Sequence, residues 1–277
     1  MAHSRSFKSL LIATSSLVGL AAAPVLAQDT EPQIVTVDGV TPADSVDTAV
    51  DITGIGMFFR NDGFVCSGTL VNPRMVLFAA HCVNDRAATE YGDGGVQAAW
   101  SFGADALPGF IDWLNNGFGS NADLAVYNVA QILYNQESLA RPEGFGFLEG
   151  DVALSVLDTP AGNIPTWALL FSALPAPTSY TQETGSGYHV DLIGYGRSGE
   201  GSLGASNPID WRRRAAENFI GALASLDDRN RIIFGSSFGD PNPQNLYQID
   251  FDDPTRTNPF DFDLFRGDAA PNEGTTA

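Results

Sequence analysis

Residues 66–82 decide the fold of this chain, and they read CSGTLVNPRMVLFAAHC. The apolar runs on either side of Asn72-Pro73 are typical of two short strands joined by a turn. Upstream, Asn61-Asp62-Gly63 is typical of a hairpin turn, because such turns require a positive φ that glycine adopts at low cost. The pattern predicts three successive strands, the last of which runs directly into His81; they span residues 54–60, 64–71 and 75–79.

Short apolar runs separated by turn signals continue along most of the chain. Helical periodicity is not sustained anywhere, and the pattern predicts only a short helix over residues 210–216. Residues 87–120 are rich in Gly and Ala, and we expect them to form a loop-bearing insertion. Many short strands with frequent turns predict an all-β sandwich or barrel. The further strand candidates are residues 122–133, 151–157, 190–195, 215–223, 231–234 and 246–251.

The N-terminus has the organisation of an export signal. Arg5 and Lys8 precede an apolar stretch over residues 10–23, and small residues around Ala27 suit a signal peptidase. We therefore expect residues 1–27 to be a cleaved signal peptide, with a retained membrane anchor as the alternative. The apolar stretch is shorter than the roughly 20 residues of a membrane span, and no later segment is apolar over that length. The mature chain is therefore expected to be periplasmic or secreted, with no membrane span.

Charge and composition narrow the range of partners. The formal net charge is −19, and an acidic surface of this kind argues against nucleic acid as a partner. No residue pattern calls for a cofactor, and none is expected. Residues 28–50 are rich in Asp, Thr and Pro, and we expect an irregular N-terminal segment there.

Cys66 and Cys82 are the only cysteines of the sequence. In an exported chain they most simply form one disulfide. A buried pair of free thiols, or a half metal site completed by His81, is the alternative.

Residues 66–82 resemble the segment that carries the catalytic histidine in chymotrypsin-like (trypsin-like) serine proteases. In that family a Cys-x-Gly-x-Leu strand turns and returns to an Ala-Ala-His-Cys run, and all of these features stand here at the expected spacing. The resemblance implies that His81 is the general base, held in place by a Cys66–Cys82 bridge. It also implies two six-stranded antiparallel β-barrels, the first over residues 51–165 and the second over residues 166–277.

A histidine base requires a carboxylate that orients it and stabilises the imidazolium. Asp151 opens the run DVALSVL, which resembles the family's Asp-Ile-Ala-Leu-x-x-Leu strand, and the resemblance implies that Asp151 completes the catalytic pair with His81. Asp123 is the alternative candidate for this carboxylate. It lies 42 residues after His81, whereas Asp151 lies 70 residues after His81, and the usual spacing in the family is closer to the shorter of the two. A capping or surface aspartate is the alternative role for either.

Two segments extend the resemblance into the second half. Residues 190–198 resemble the strand into the Gly-Tyr-Gly turn that opens the family's second barrel, and residues 212–220 resemble its next strand. His189 has no motif around it, so we expect a structural role.

The nucleophile is where the sequence departs from the family. No Gly-Asp-Ser-Gly-Gly segment occurs in the 277 residues, and Ser186, Ser236 and Ser237 do not stand in a comparable motif. The nucleophile loop also carries the oxyanion donors and most of the specificity pocket. We therefore expect a chain truncated before that loop, with an incomplete second barrel and a continuation beyond Ala277. Residues 33–36 resemble the family's Ile-Val-Gly-Gly N-terminus only weakly, so no activation site is assigned.

The expected function is that of a serine endopeptidase acting on protein or peptide substrates, with the serine missing from these residues. A catalytically inactive homologue, acting as a secreted binding protein or a surface-protein passenger, is the alternative. The acidic tail contains oxygen ligands that suit a hard cation such as calcium, but it lacks the EF-hand spacing, and solvated loops are the expectation. These residues are Asp250, Asp252, Asp253, Asp261, Asp263 and Asp268.

Overall fold

The computed structural model of this chain describes residues 33–92, 94–135, 150–175, 188–201 and 203–225, and, in the remainder, residues 227–228, 231, 235, 245–249, 251, 270 and 272–276. The predicted signal peptide lies outside the described residues. So do most of the strand predicted over residues 231–234, the serines at positions 186, 236 and 237, and all six aspartates of the acidic tail.

Strands dominate the described part of the chain. They are β1 (Gln33–Thr36), β2 (Ile52–Arg60), β3 (Val65–Asn72), β4 (Met75–Phe78), β5 (Ala98–Gly103), β6 (Val126–Tyr134), β7 (Ala153–Leu157), β8 (Tyr188–Gly194), β9 (Arg197–Glu200), β10 (Gly204–Asn207), β11 (Arg214–Ile220), β12 (Ala222–Ser225), β13 (Asn245–Gln248) and β14 (Gly274–Thr276).

Strands β2 to β7 close into one antiparallel barrel, in the spatial order β2-β3-β4-β7-β6-β5. The described chain is mostly β, in line with the predicted fold class, and these six strands lie within residues 51–165, where a first barrel was expected. Aromatic rings fill the interior: Phe58 lies 5.5 Å from Phe78 and 5.2 Å from Trp100, measured between ring centroids. All three rings are buried, and burial of apolar surface of this size is the dominant stabilising term in folding.

The strands predicted around residues 66–82 are confirmed as β2, β3 and β4. At the hairpin between β2 and β3, Gly63 adopts a φ of 99°, the conformation for which the turn was expected to require glycine. The backbone N–H of Arg60 donates to the carbonyl of Phe64 at 2.9 Å and closes the turn.

The region from residue 87 to 120 differs from the expected loop-bearing insertion. It contains the barrel strand β5 and a helix, α1 (Leu107–Asn115). Five of the six β5 residues are buried, so both faces of the strand are covered and no alternation of apolar and polar residues marks it in the sequence. Helix α1 is also not apparent from the sequence pattern, because Pro108 and Gly109 have low helix propensity. Proline is nevertheless well tolerated in the first turn of a helix.

The second half forms smaller sheets. Strand β8 pairs with β11, β12 pairs with β13, and a four-stranded sheet has the order β10-β9-β1-β14. Among the described residues these strands do not close into a second barrel.

Part of the N-terminal segment predicted to be irregular is a strand. Strand β1 runs parallel to β9 and antiparallel to β14, so its hydrogen-bonding partners lie more than a hundred residues away in the sequence. A buried ion pair adds to this attachment, since the fully buried guanidinium of Arg213 donates to Asp47 at 2.8 Å. Long-range pairing of this kind leaves no periodicity in a four-residue strand.

The short helix predicted over residues 210–216 is wrong. Trp211 has a φ of 66°, which is incompatible with a right-handed helix, and β11 begins at Arg214. The indole of Trp211 packs instead against Phe59 and Phe110, at 5.4 and 5.8 Å between ring centroids. No helix in the described part of the chain has the length and apolar character needed to cross a bilayer.

Candidate active site

His81 lies just after β4, in a short 3-10 turn over Ala80–Cys82. Its side chain is 25% exposed. Cys82 forms a disulfide with Cys66 of β3 across a Cα–Cα distance of 6.3 Å, which ties the turn to the barrel wall. The predicted disulfide is therefore confirmed. Because the two sulfurs are bonded to each other, free thiols and a half metal site built on thiolates are excluded.

Strand pairing brings Asp151 to His81. Strands β4 and β7 are antiparallel, with Phe78 opposite Ala153. Continuing this register past both strand ends places the residues after Phe78 beside the residues before Ala153. The Asp151 Oδ1 atom accepts the backbone N–H of His81 at 2.7 Å, and Oδ2 lies 2.7 Å from the Nδ1 atom of the same ring. The Asp151 side chain is only 13% exposed, so this contact pairs a largely buried charge.

Asp123 occupies a different environment. It lies in an exposed 3-10 turn over Ala122–Leu124, ahead of β6, and its backbone N–H is capped by the side chain of Asn121. The structure thus pairs His81 with Asp151 in the contact that sequence spacing left open between two aspartates.

The geometry of this pair selects one tautomer of the neutral ring. An ionised carboxylate only accepts hydrogen bonds, so Nδ1 of His81 must carry the proton that it donates to Asp151. Nε2 is then the nitrogen whose lone pair can take a proton from another group. A histidine held in this tautomer by a carboxylate has the chemistry of a general base, and the same carboxylate stabilises the imidazolium after proton uptake.

A buried arginine, which no sequence motif marks, holds the segment that follows His81 through hydrogen bonds. The guanidinium of Arg60 donates to both oxygens of Asp85 at 2.8 and 3.0 Å and to the hydroxyl of Tyr91 at 2.9 Å. Tyr91 in turn donates to the carbonyl of Val83 at 3.1 Å. Residues 83–91 are therefore held against the end of β2 by one side chain that is 5% exposed.

Electrostatics in this cluster favour the charged guanidinium and carboxylate. Burial alone would raise the pKa of Asp85, but the hydrogen bonds and charge of Arg60 and Arg86 outweigh it and lower that pKa. Burial raises the pKa of Tyr91 to about 12, although the charge of Arg60 opposes the shift. Tyr91 consequently remains a neutral hydroxyl that both accepts and donates.

A signal for Arg60 did exist in the sequence. Alternate residues of β2 point to the same face, and the pattern that buries Phe58 also buries Arg60. A charged residue in phase with the inward face of a strand requires partners inside the protein. Only the tertiary structure identifies those partners as Asp85 and Tyr91.

The glycine of the Cys-x-Gly-x-Leu run has a packing role. A Cβ atom built on Gly68 would lie 2.8 Å from Cζ3 of Trp100 and 2.9 Å from the backbone oxygen of Leu77. Both distances are shorter than any normal contact of a Cβ atom. Gly68 therefore allows the Trp100 ring to pack directly on the backbone of β3, two residues from the disulfide.

Ser67 in the same run joins the barrel to the second half of the chain. Its Oγ accepts the backbone N–H of Tyr195 at 2.8 Å and donates to the Tyr195 carbonyl at 3.2 Å. The Tyr195 hydroxyl then donates to the carbonyl of Gly103 at 2.7 Å, and burial raises its pKa. The predicted Gly-Tyr-Gly turn thus contacts the histidine-bearing strand pair from outside the barrel.

The chain matches no protein-family model and no curated protein sequence.

Proposed function

We propose that this chain belongs to a trypsin-like serine endopeptidase and supplies its general base and orienting carboxylate. The double hydrogen bond between His81 and Asp151 carries this proposal. A solvent-accessible histidine, locked in one tautomer by a largely buried carboxylate, is the arrangement that activates a hydroxyl nucleophile.

The architecture around the pair supports the same reading. A closed six-stranded barrel positions His81 after β4 and Asp151 before β7, and the adjacent disulfide anchors the turn that carries His81. We propose that β8 to β14 belong to the second, incomplete barrel of the trypsin-like fold. The disulfide supports export as well, because such bonds persist in oxidising compartments.

In the proposed reaction, a serine hydroxyl attacks the carbonyl carbon of the scissile peptide bond while Nε2 of His81 takes its proton. Asp151 keeps Nδ1 protonated and stabilises the imidazolium. His81 then returns the proton to the leaving amine as the peptide bond breaks, and water repeats the cycle on the acyl-enzyme. His81 is the catalytic residue of this chain, and Asp151 positions it. The serine itself is proposed to follow Ala277.

One observation favours a second candidate function. The 277 residues contain no Gly-Asp-Ser-Gly-Gly segment, which is compatible with an inactive homologue that binds proteins or peptides.

The decisive experiment reads the coding sequence past Ala277 and expresses the chain at both lengths. We expect an in-frame Gly-Asp-Ser-Gly-Gly, and we expect the longer protein to react with a fluorophosphonate probe and to cleave casein. His81→Ala should abolish both activities, and Asp151→Asn should lower turnover by about 10⁴-fold. The 277-residue chain should not react with the probe.

Asp123→Asn is the matched control, since this aspartate is exposed, and it should leave turnover unchanged. A stop codon directly after Ala277 would favour the binding-protein function. Labelling of Ser236 or Ser237 in the 277-residue chain would contradict both proposals.

A further inference from the structure

A second histidine–carboxylate cluster lies on the β8–β11 strand pair and includes neither His81 nor Asp151. His189 and Asp191 are two residues apart in β8 and both are exposed, so they point to the same face of the sheet. Glu217 of β11 is directly opposite Asp191 in the antiparallel register. The strand pairing therefore collects one imidazole and two carboxylates on one surface.

The donor atoms of this cluster have the spacing of metal ligands. One ligand atom from each of the three side chains lies within 4.8 Å of the others. The His189 Nε2 atom is 3.6 Å from the Glu217 Oε2 atom, which is too long for a hydrogen bond. Two ligands bound at about 2.0–2.1 Å to a tetrahedral zinc ion are about 3.4 Å apart. A small decrease in the distance between Nε2 and Oε2 would therefore bring these two atoms to the separation of zinc ligands.

The charges of the cluster favour a cation. Like charges directly opposite each other on paired strands are destabilising, and Asp191 and Glu217 stand in that relation. Within the part of the chain that the structure describes, no hydrogen bond or ion pair engages the Asp191 carboxylate. Asp191 and Glu217 also line a cavity of about 180 Å³, and Asp44 is a further acidic residue of its lining. A divalent ion would relieve this repulsion.

The imidazole is held by its neighbour. The ring of Phe219, directly across the strand pair from His189, meets it edge to face at 5.3 Å between centroids. This contact restricts the rotation of the histidine while Nε2 faces Glu217. A ligand that is oriented before binding loses less conformational entropy when the metal arrives.

We propose that His189, Asp191 and Glu217 bind a Zn²⁺-class divalent ion, with one nitrogen and two oxygen ligands and water at the remaining position. The imidazole selects borderline ions such as Zn²⁺ or Co²⁺ over Ca²⁺, which prefers six to eight oxygen ligands. The ion cross-links β8 to β11. This site is independent of the proposed peptidase function, and it replaces the purely structural role expected for His189.

The test is calorimetric titration of the metal-free full chain with Zn²⁺ alone. We expect one ion per chain, with affinity at least about 10-fold weaker in each of His189→Ala, Asp191→Asn and Glu217→Gln. A hundredfold excess of Ca²⁺ should not displace the ion. Zn²⁺ should also raise the Tm of the wild type, and His189→Ala should remove that increase, which provides a readout that does not depend on heat of binding.

Two controls separate this site from other histidines and carboxylates. Asp51→Asn changes an exposed carboxylate directly before β2 and should leave the affinity for Zn²⁺ within about twofold of that of the wild type. His81→Ala removes the other described imidazole and should also leave Zn²⁺ binding intact. Absence of Zn²⁺ binding by the wild type, binding that survives His189→Ala unchanged, or binding that is lost in His81→Ala would each overturn the proposal.

Discussion

Asp151 contacts His81 at two points, because one carboxylate oxygen accepts the backbone N–H and the other accepts the ring Nδ1–H, each at 2.7 Å. A single hydrogen bond to Asp151 would leave the imidazole ring of His81 able to rotate about its Nδ1–H group. Two bonds from the same residue fix the position of the carboxylate relative to the backbone and thereby fix the orientation of the ring. The turn that carries His81 is also anchored by the disulfide at its end.

The tautomer of His81 should therefore depend on Asp151. In Asp151→Asn the amide retains one acceptor oxygen, and with that oxygen on the backbone N–H its NH₂ group faces Nδ1. Nδ1 must then accept, so the proton should move to Nε2. We expect ¹⁵N chemical shifts of His81 to report Nδ1–H in the wild type and Nε2–H in this variant. Asp123→Asn should leave the wild-type shifts, and an unchanged tautomer in Asp151→Asn would contradict the orienting role.

Loss of the disulfide should destabilise the barrel. Cys66 and Cys82 are separated by 16 residues, and a loop of that size corresponds to about 3 kcal/mol in the chain-entropy model. We expect the Cys66→Ala/Cys82→Ala double variant to lose about that much free energy of unfolding in urea titrations. Dithiothreitol should lower the stability of the wild type and leave that of the double variant unchanged. A loss below about 1 kcal/mol would show that the bridge does not restrict the unfolded chain as the model requires.

Arg60 should contribute far more stability than its neighbour Arg86. Arg60→Met keeps the buried apolar stem but removes the hydrogen bonds to Asp62, Asp85 and the Tyr91 hydroxyl, so we expect a loss of about 3 kcal/mol in unfolding free energy. Arg86 pairs with Asp62 and Asp85 at the surface, with 27% of its side chain exposed. Arg86→Met is therefore the matched control and should cost less than about 1 kcal/mol. Equal losses of unfolding free energy for Arg60→Met and Arg86→Met in urea titrations would contradict this role of Arg60.

The contribution of Asp85 should disappear in acid. Its pKa is lowered in the folded protein, so its stabilisation is complete above the unfolded pKa of about 3.9 and is lost as pH falls through the folded value. We expect the difference in unfolding free energy between wild type and Asp85→Asn to be constant from about pH 7 to pH 5 and to shrink below about pH 4. Urea titrations at both ends of this range measure the difference, and a gap that persisted or widened in acid would contradict the assignment.

Gly68→Ala should disturb the barrel core. The added methyl group would overlap Trp100 and the backbone oxygen of Leu77, and overpacking of this kind costs about 1–3 kcal/mol. Gly162→Ala is the control, since a Cβ atom there meets nothing within 4 Å. Combining Gly68→Ala with Trp100→Phe, which removes the overlapping ring atoms, should recover part of the loss in a double-mutant cycle. Strict additivity of the two changes would argue against the proposed contact.

The local elements of this protein could be predicted from the sequence wherever side-chain alternation and turn chemistry agree. The hairpin at Gly63, strands β2 to β4 and the Cys66–Cys82 pair follow from nearest neighbours along the chain and from the cysteine count. His81 stood out for the same reason, because the residues that mark it are adjacent to it.

Long-range pairing had to be read from the structure. The choice of Asp151 over Asp123 depends on the register of β4 against β7, and both aspartates precede apolar runs that look alike in isolation. The same is true of β1, whose partners are distant, and of the alignment of Glu217 with Asp191. The physical reason is that periodicity records which face of a strand is buried, whereas which strands pair, and in which register, is decided by the packing of the whole core.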